Sequence, residues 1–351
     1  MTESPSPPTM FFSRHTRRRE FIAGLGAAAS LAAPPLLAHA QQTASMRRVG
    51  VLMNGTATDA LAQLQMKIFT EALRMAGWIE GKNIIIDPRY NAADIGLARI
   101  FAAQLIGLMP DVIFAVSTTN LTVVREVTNT IPIVFHSVSD PIEQGFVVSL
   151  AKPGGNITGF VAYEFSIGGK WLGLLKQAAP ELSRIAVMFN PDTSPQSNFF
   201  LRSIGAAAST LGIAVTPMLI RASTDIDPAI ATFARQPDGG LILPTDSFMV
   251  PRYKLVADMA NRHRLPSLGS LSEYAKDDGG LMFYGTSRDD SIEGLARAAS
   301  YVDRILRGEK PGDLPVQSHT KYETVLNLRT AKALGLTIPE TLLATADEVI
   351  Q

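Results

Sequence analysis

The chain has 351 residues, no cysteine, and 32 basic against 32 acidic side chains. The missing cysteines exclude a disulfide framework, a thiolate zinc site and a cysteine nucleophile. Balanced charge argues against a protein that neutralises nucleic-acid phosphates. With 46% hydrophobic and 18% charged residues the chain buries a real core, its 7% aromatics suit a layered α/β protein better than an all-β one, and its length suits about two domains.

The first forty residues read as an export signal. A polar, proline-rich start leads to Arg17-Arg18-Arg19-Glu20-Phe21, then to a short apolar run of mostly Ala, Gly and Leu over 23–37, then to Ala38-His39-Ala40. Charged start, short apolar middle and small-x-small cut site are the parts of such a signal. Arg18-Arg19 resembles the twin-arginine variant. The run holds Pro34 and Pro35 and falls short of the ~20 strongly apolar residues of a membrane span. An N-terminal anchor or a chance basic cluster is the plainer alternative. Cleavage after Ala40 leaves a slightly acidic chain with no cysteine to lipidate, which predicts a soluble periplasmic protein that is not a lipoprotein.

The run 48–54 is short, apolar and closed by turn residues, the pattern of a buried parallel strand. Over 60–76 an apolar stripe at Leu61, Leu64, Ile68, Ala72 and Leu73, stopped by Gly77, predicts a helix. Strands are predicted over 83–88, 111–116 and 131–136, with helices over 95–108 and 120–127 between them. The second half repeats the pattern. Residues 184–190 echo 48–54, and 213–220 stand where 83–88 stood. Pro237-Asp238 introduces an apolar run as Pro110-Asp111 does, and Leu265-Pro266 echoes Ile131-Pro132. Strand–helix alternation written twice predicts two similar open α/β lobes with parallel sheets.

Ligands of such sheets sit beyond the carboxyl ends of the strands, so two lobes can share one cleft and the joining segments act as a hinge. Candidate joints are 155–163, 279–285 and, after a helix over 292–306, 311–315. This divides the chain into 46–160 plus about 284–311 as one lobe, and 161–283 plus about 312–351 as the other.

Three strings of residues carry a family resemblance. They are Ile131-Pro-Ile-Val-Phe135 through Ser139-Asp140-Pro141 to the stretch 145–159, then Gly279-Gly-Leu-Met-Phe-Tyr-Gly285, then Leu306-Arg-Gly-Glu-Lys-Pro311 through Leu334-Gly-Leu-Thr-Ile-Pro339. In this order they resemble the ABC-transporter substrate-binding proteins of the tryptophan/tyrosine-permease-associated family. The resemblance spans the chain beyond the export signal. It implies a type I periplasmic-binding-protein fold, with two Rossmann-like lobes, three crossovers and a ligand in the cleft. It also implies an aromatic or other hydrophobic amino acid as ligand class.

A free amino acid needs donors for its carboxylate, an acceptor for its ammonium and a pocket for its side chain. Ser117-Thr118-Thr119-Asn120 ends a strand and opens a helix, so hydroxyls and free backbone N–H groups make a carboxylate site. Plain N-capping is compatible with the same residues. Asn54, with Gly55 and Thr56, ends the first strand in the same way. Asp246 lies at the matching strand end of the second lobe, where the resemblance places a polar loop at the ligand. It holds the ammonium or caps the helix that begins near Met249. Asp140 before Pro141 is equally well placed, or shapes the turn. Tyr163 and Tyr284, with Phe160 and Phe283, lie on joints and stack on an apolar ligand or belong to the core. Asn190 and Asp192 close the first strand of the second lobe.

The chain beyond the signal has no Gly-x-Ser-x-Gly elbow, no Walker-type loop and no Gly-x-Gly-x-x-Gly after a strand. His136, His263 and His319 lack ligand spacing, so no metal, cofactor or catalytic residue is expected. These readings predict a periplasmic solute-binding protein of an ABC importer. It captures a hydrophobic or aromatic amino acid and delivers it to an inner-membrane permease driven by a cytoplasmic ATPase. It is expected to be a monomer without nucleic-acid partners. A ligand sensor presenting its closed form to a membrane receptor, or a cleft enzyme, are the alternatives.

Overall fold

The computed structural model describes residues 46–319 and 321–351, so the export signal expected over 1–40 lies outside the described residues. The chain alternates strand and helix as its apolar runs require. β1 (Arg47–Met53), α1 (Ala60–Met75), β2 (Ile84–Tyr90), α2 (Ile95–Gly107), β3 (Val112–Val116), α3 (Thr118–Val127), β4 (Ile133–Val138) and β5 (Ile157–Val161) build the first lobe. There follow α4 (Ile167–Ala178), β6 (Arg184–Phe189), α5 (Ser197–Leu211), β7 (Ala214–Leu219), α6 (Ile226–Phe233), β8 (Gly239–Leu243), α7 (Tyr253–Arg262), β9 (Ser267–Gly269), α8 (Glu273–Lys276) and β10 (Met282–Thr286). The chain ends with α9 (Arg288–Leu306), β11 (Gln317–Ser318), β12 (Tyr322–Asn327), α10 (Leu328–Leu334), α11 (Glu340–Thr345) and β13 (Glu348–Ile350).

The strands form two sheets, ordered β11-β5-β4-β3-β1-β2 and β13-β12-β10-β9-β8-β6-β7. Read from the β2 and β7 edges, both run second, first, third, fourth, fifth, so the repeated sequence pattern folds into a repeated topology. Neighbours pair in parallel except β12, which runs antiparallel to β10. β3 and β8 are buried at every position, as central strands covered on both faces must be. In the first lobe Phe69 of α1 stacks on Phe114 of β3 at 4.2 Å between ring centres, while in the second Trp171 of α4 packs on Phe200 of α5 at 5.1 Å.

The chain crosses between sheets after β5, after β10 and after β11. The third crossing lies between Ser318 of β11 and Tyr322 of β12, later than the 311–315 segment expected from sequence. Gln317 and Ser318 pair with Phe160 and Val161, and Thr158 donates to the Leu314 carbonyl at 2.7 Å, so this segment belongs to the first sheet. The crossings are laced together. The Thr286 hydroxyl donates to the Ala162 carbonyl at 3.1 Å, and the Ser287 N–H to the Lys321 carbonyl at 3.2 Å.

One glycine is dictated by strand pairing. Gly159 in β5 has φ +153°, and a Cβ there would sit 2.1 Å from the Phe135 carbonyl oxygen of β4. That oxygen belongs to the backbone of a central strand and cannot rotate away. Gly159→Ala is expected to destabilise the protein by about 3 kcal/mol or more, read as a shift of the urea midpoint. An unchanged midpoint would show that β4 and β5 tolerate a wider spacing.

Candidate functional site

Carboxyl ends of strands from both sheets face one cavity of about 400 Å³, a volume suited to a small molecule. Its apolar walls come from Leu61, Leu64 and Ile68 of α1 and Ile292 and Leu295 of α9, with Val250, Pro251 and Leu271 from the second lobe. The predicted helical stripe of α1 divides in two. Phe69 and Leu73 are buried against the sheet, while Leu61, Ala62, Leu64 and Ile68 line the cavity, Leu61 remaining 47% exposed.

The first polar end is the start of α3. Ser117 lines the cavity, and its hydroxyl caps the helix by accepting from the Asn120 N–H at 3.3 Å. Asn120 is buried and donates to the Leu52 and Val116 carbonyls at 3.1 and 2.8 Å, which fixes α3 to β1 and β3. Ser117 holds φ at +90° and Ser137, also on the cavity, at +58°. Non-glycine residues rarely adopt these values, and such strain collects at ligand clamps.

The second polar end is Asp246, which is 1% exposed. Its carboxylate accepts from the Asn190 N–H at 2.5 Å, the Thr193 hydroxyl at 2.6 Å and the Phe248 N–H at 2.8 Å. Burial pushes its pKa above the usual carboxylate range, and these hydrogen bonds oppose the rise. The Met249 N–H is a fourth donor to the same carboxylate, so its lone pairs are matched from within the second lobe. Thr193 extends the network across the cleft, because its carbonyl accepts from the Thr119 hydroxyl of the first lobe at 2.6 Å. A more exposed link joins Glu143 to Arg202 of α5 at 2.7 Å.

Of the residues singled out from sequence, Asn54, Ser117, Tyr163 and Asp246 line this cavity. Thr118, Thr119 and Asn190 lie behind it: the Thr118 hydroxyl accepts from the Ser139 N–H at 3.1 Å, and Asn190 holds Asp246. Asp140 borders a different hollow, beside Glu143 and Glu164. Tyr284 faces away and stacks on Tyr322 at 5.8 Å. Tyr163 is a hinge residue whose hydroxyl donates to the Ser270 carbonyl at 2.7 Å. Sequence reasoning passed over Asp59, Gln65, Arg288 and Ser291 and set His319 aside, yet all five line the cavity. The spacing of Arg288, Ser291, Ile292 and Leu295 on one helical face was the available signal.

Two histidines distant in sequence meet at the hinge. The His136 and His319 rings lie edge to face with centres 6.4 Å apart, and His319 Nδ1 is 2.8 Å from an Asp290 carboxylate oxygen. Burial holds His136 at a pKa of about 3, and burial also lowers His319. No group of ligating side chains suited to a metal ion occurs among the described residues.

Residues 49–350 match the model of a family described as ABC transporter substrate binding protein. The tyrosine-binding protein of Clostridioides difficile is 31% identical over 271 residues, 77% of this chain and 76% of that protein. Among solved structures, a conserved domain protein from Vibrio cholerae is 26% identical with a TM-score of 0.77, covering 87% of this chain and 100% of the other. A Streptococcus domain in complex with L-Trp is 22% identical with a TM-score of 0.74, again over 87% and 100%.

Two outcomes follow from this geometry. Between pH 6.5 and about 3 the unfolded chain binds a proton at His136 that the folded protein does not, so stability should fall as pH drops through that range. His136→Phe should flatten the decline by a few kcal/mol on the order of magnitude, measured by urea unfolding at stepped pH. An identical pH profile in that variant would refute the assignment. Thr119→Val removes a bond across the cleft and should enlarge the radius of gyration of the ligand-free protein in small-angle scattering; equal radii would show that this bond does not hold the lobes together.

Proposed function

Because this chain belongs to the ABC transporter substrate-binding protein family, we propose that it captures a hydrophobic or aromatic amino acid between its lobes and delivers it to an inner-membrane permease. The observation that carries this reading is the pairing of opposite polar ends across one apolar cavity. The start of α3, with Ser117, offers N–H and hydroxyl donors and the positive end of the helix dipole to a carboxylate. Asp246 offers a buried negative charge to an ammonium. The leucine and isoleucine walls between them suit an apolar side chain.

The two ends belong to different lobes, so a ligand that touches both favours the closed arrangement. Closure is then a population shift driven by differential contact, and the permease reads the closed form. The tyrosine named for the Clostridioides relative and the L-Trp held by the Streptococcus domain support an aromatic ligand class. The export signal read in residues 1–40 supports a periplasmic location. Among the described residues no helix is long and apolar enough to cross a membrane. A solute binder of this kind acts without catalysis.

A thermal-shift panel of the amino acids tests the reading. L-Tyrosine or L-tryptophan is expected to raise the melting temperature, and a panel in which no amino acid does so would overturn it. Ser117→Ala and Asp246→Asn should each weaken the binding amino acid about tenfold or more, with circular dichroism reporting a retained fold.

A further inference from the structure

His319 occupies the third crossing, is 7% exposed and lines the cavity, yet nothing in the binding scheme above uses it. Its Nδ1 meets Asp290 on the first turn of α9 at 2.8 Å. Arg297, two turns along the same helix, places Nη2 3.5 Å from the other Asp290 oxygen. A carboxylate only accepts, so Nδ1 carries the imidazole proton and Nε2 keeps its lone pair. Nε2 forms no hydrogen bond with any described residue.

The ring has little freedom to turn. A Cβ at Gly294 would lie 3.1 Å from His136 Nε2 and 3.2 Å from His319 Cε1, so both rings rest on a bare stretch of α9. Burial, with Arg297 close by, disfavours a protonated His319 and outweighs the pull of Asp290. Two hydroxyls of the same cavity, Tyr163 and Thr286, already donate to the Ser270 and Ala162 carbonyls.

We infer that His319 Nε2 is a hydrogen-bond acceptor on the cavity floor, set by Asp290, which selects ligands carrying an O–H or N–H donor in addition to the α-ammonium. This rests on the reading of the cleft as a small-molecule site and narrows its ligand class. Hydroxylated or N–H-bearing apolar molecules are preferred over pure hydrocarbon side chains, because an analogue without the donor leaves a buried acceptor unpaired.

Titration calorimetry on the full chain at pH 7.5 tests this with two probe pairs that differ by one hydroxyl: L-tyrosine against L-phenylalanine, and 3-(4-hydroxyphenyl)propionate against 3-phenylpropionate. Tenfold or greater preference for the hydroxylated member is expected in at least one pair. It should vanish in His319→Leu and return in part in His319→Gln, whose carbonyl oxygen is again an acceptor. Asp290→Asn should abolish the preference too, because an amide facing Nδ1 moves the ring proton to Nε2, visible in long-range ¹H–¹⁵N spectra of the imidazole. Equal affinity within each pair, a preference that survives His319→Leu, or a wild-type ring protonated at Nε2 overturns the inference. Binding, with discrimination, confined to the propionates would refute the amino-acid reading and leave the His319 assignment standing. No binding of any of the four probes would overturn both.

Discussion

A carboxylate almost wholly removed from water organises this molecule. Asp246 must be satisfied where it lies, because a buried charge without partners costs several kcal/mol on the order of magnitude. It recruits the Asn190 and Phe248 N–H groups and the Thr193 hydroxyl, and in doing so gathers the loops that follow β6 and β8. Thr193 then turns its carbonyl toward Thr119 of the other lobe. A single side chain thus shapes the second lobe's share of the cleft and, through one threonine, links it to the helix that forms the first lobe's share.

The hinge has its own polar core. Three crossings lie side by side, stitched by Thr286 to Ala162 and by Ser287 to Lys321, with Tyr163 tied to the Ser270 carbonyl. Hydrogen bonds between crossings let them move as a unit, which suits rotation of one rigid lobe against the other. His136, His319 and Asp290 sit at the same place, and His319 also lines the cavity, so cavity and hinge share a side chain. A contact made there by a ligand bears directly on the segments that must bend.

Cavity chemistry and cavity shape have different origins. The polar ends come from strand termini and helix starts, positions that an open α/β sheet always turns toward its ligand face. Most of the apolar wall comes from helices α1 and α9, which also pack on the first sheet, with Val250, Pro251 and Leu271 added from the second lobe. α1 therefore has two jobs on adjacent faces. Phe69 and Leu73 hold the lobe together, while Leu61 stays partly exposed and is free to meet a ligand.

Much of this was legible in the chain. Periodicity located the first four strands of each lobe and the helices α1, α2, α3 and α9, because a strand covered on both faces must be continuously apolar and a covering helix must carry a stripe. The doubled order of elements determined two lobes of like topology, and strand-end polarity pointed to Ser117 and Asp246 for a local reason: those residues follow directly on buried strands. Tertiary structure alone decided the rest. Asp140 and Tyr284 have the same local credentials, yet one borders another hollow and the other stacks outward on Tyr322. The third crossing comes after Ser318 because two residues, Gln317 and Ser318, find a pairing edge on β5. His136 and His319 meet only because separate crossings run side by side, and contact between residues so far apart in sequence is set by packing of the whole fold, which no local pattern records.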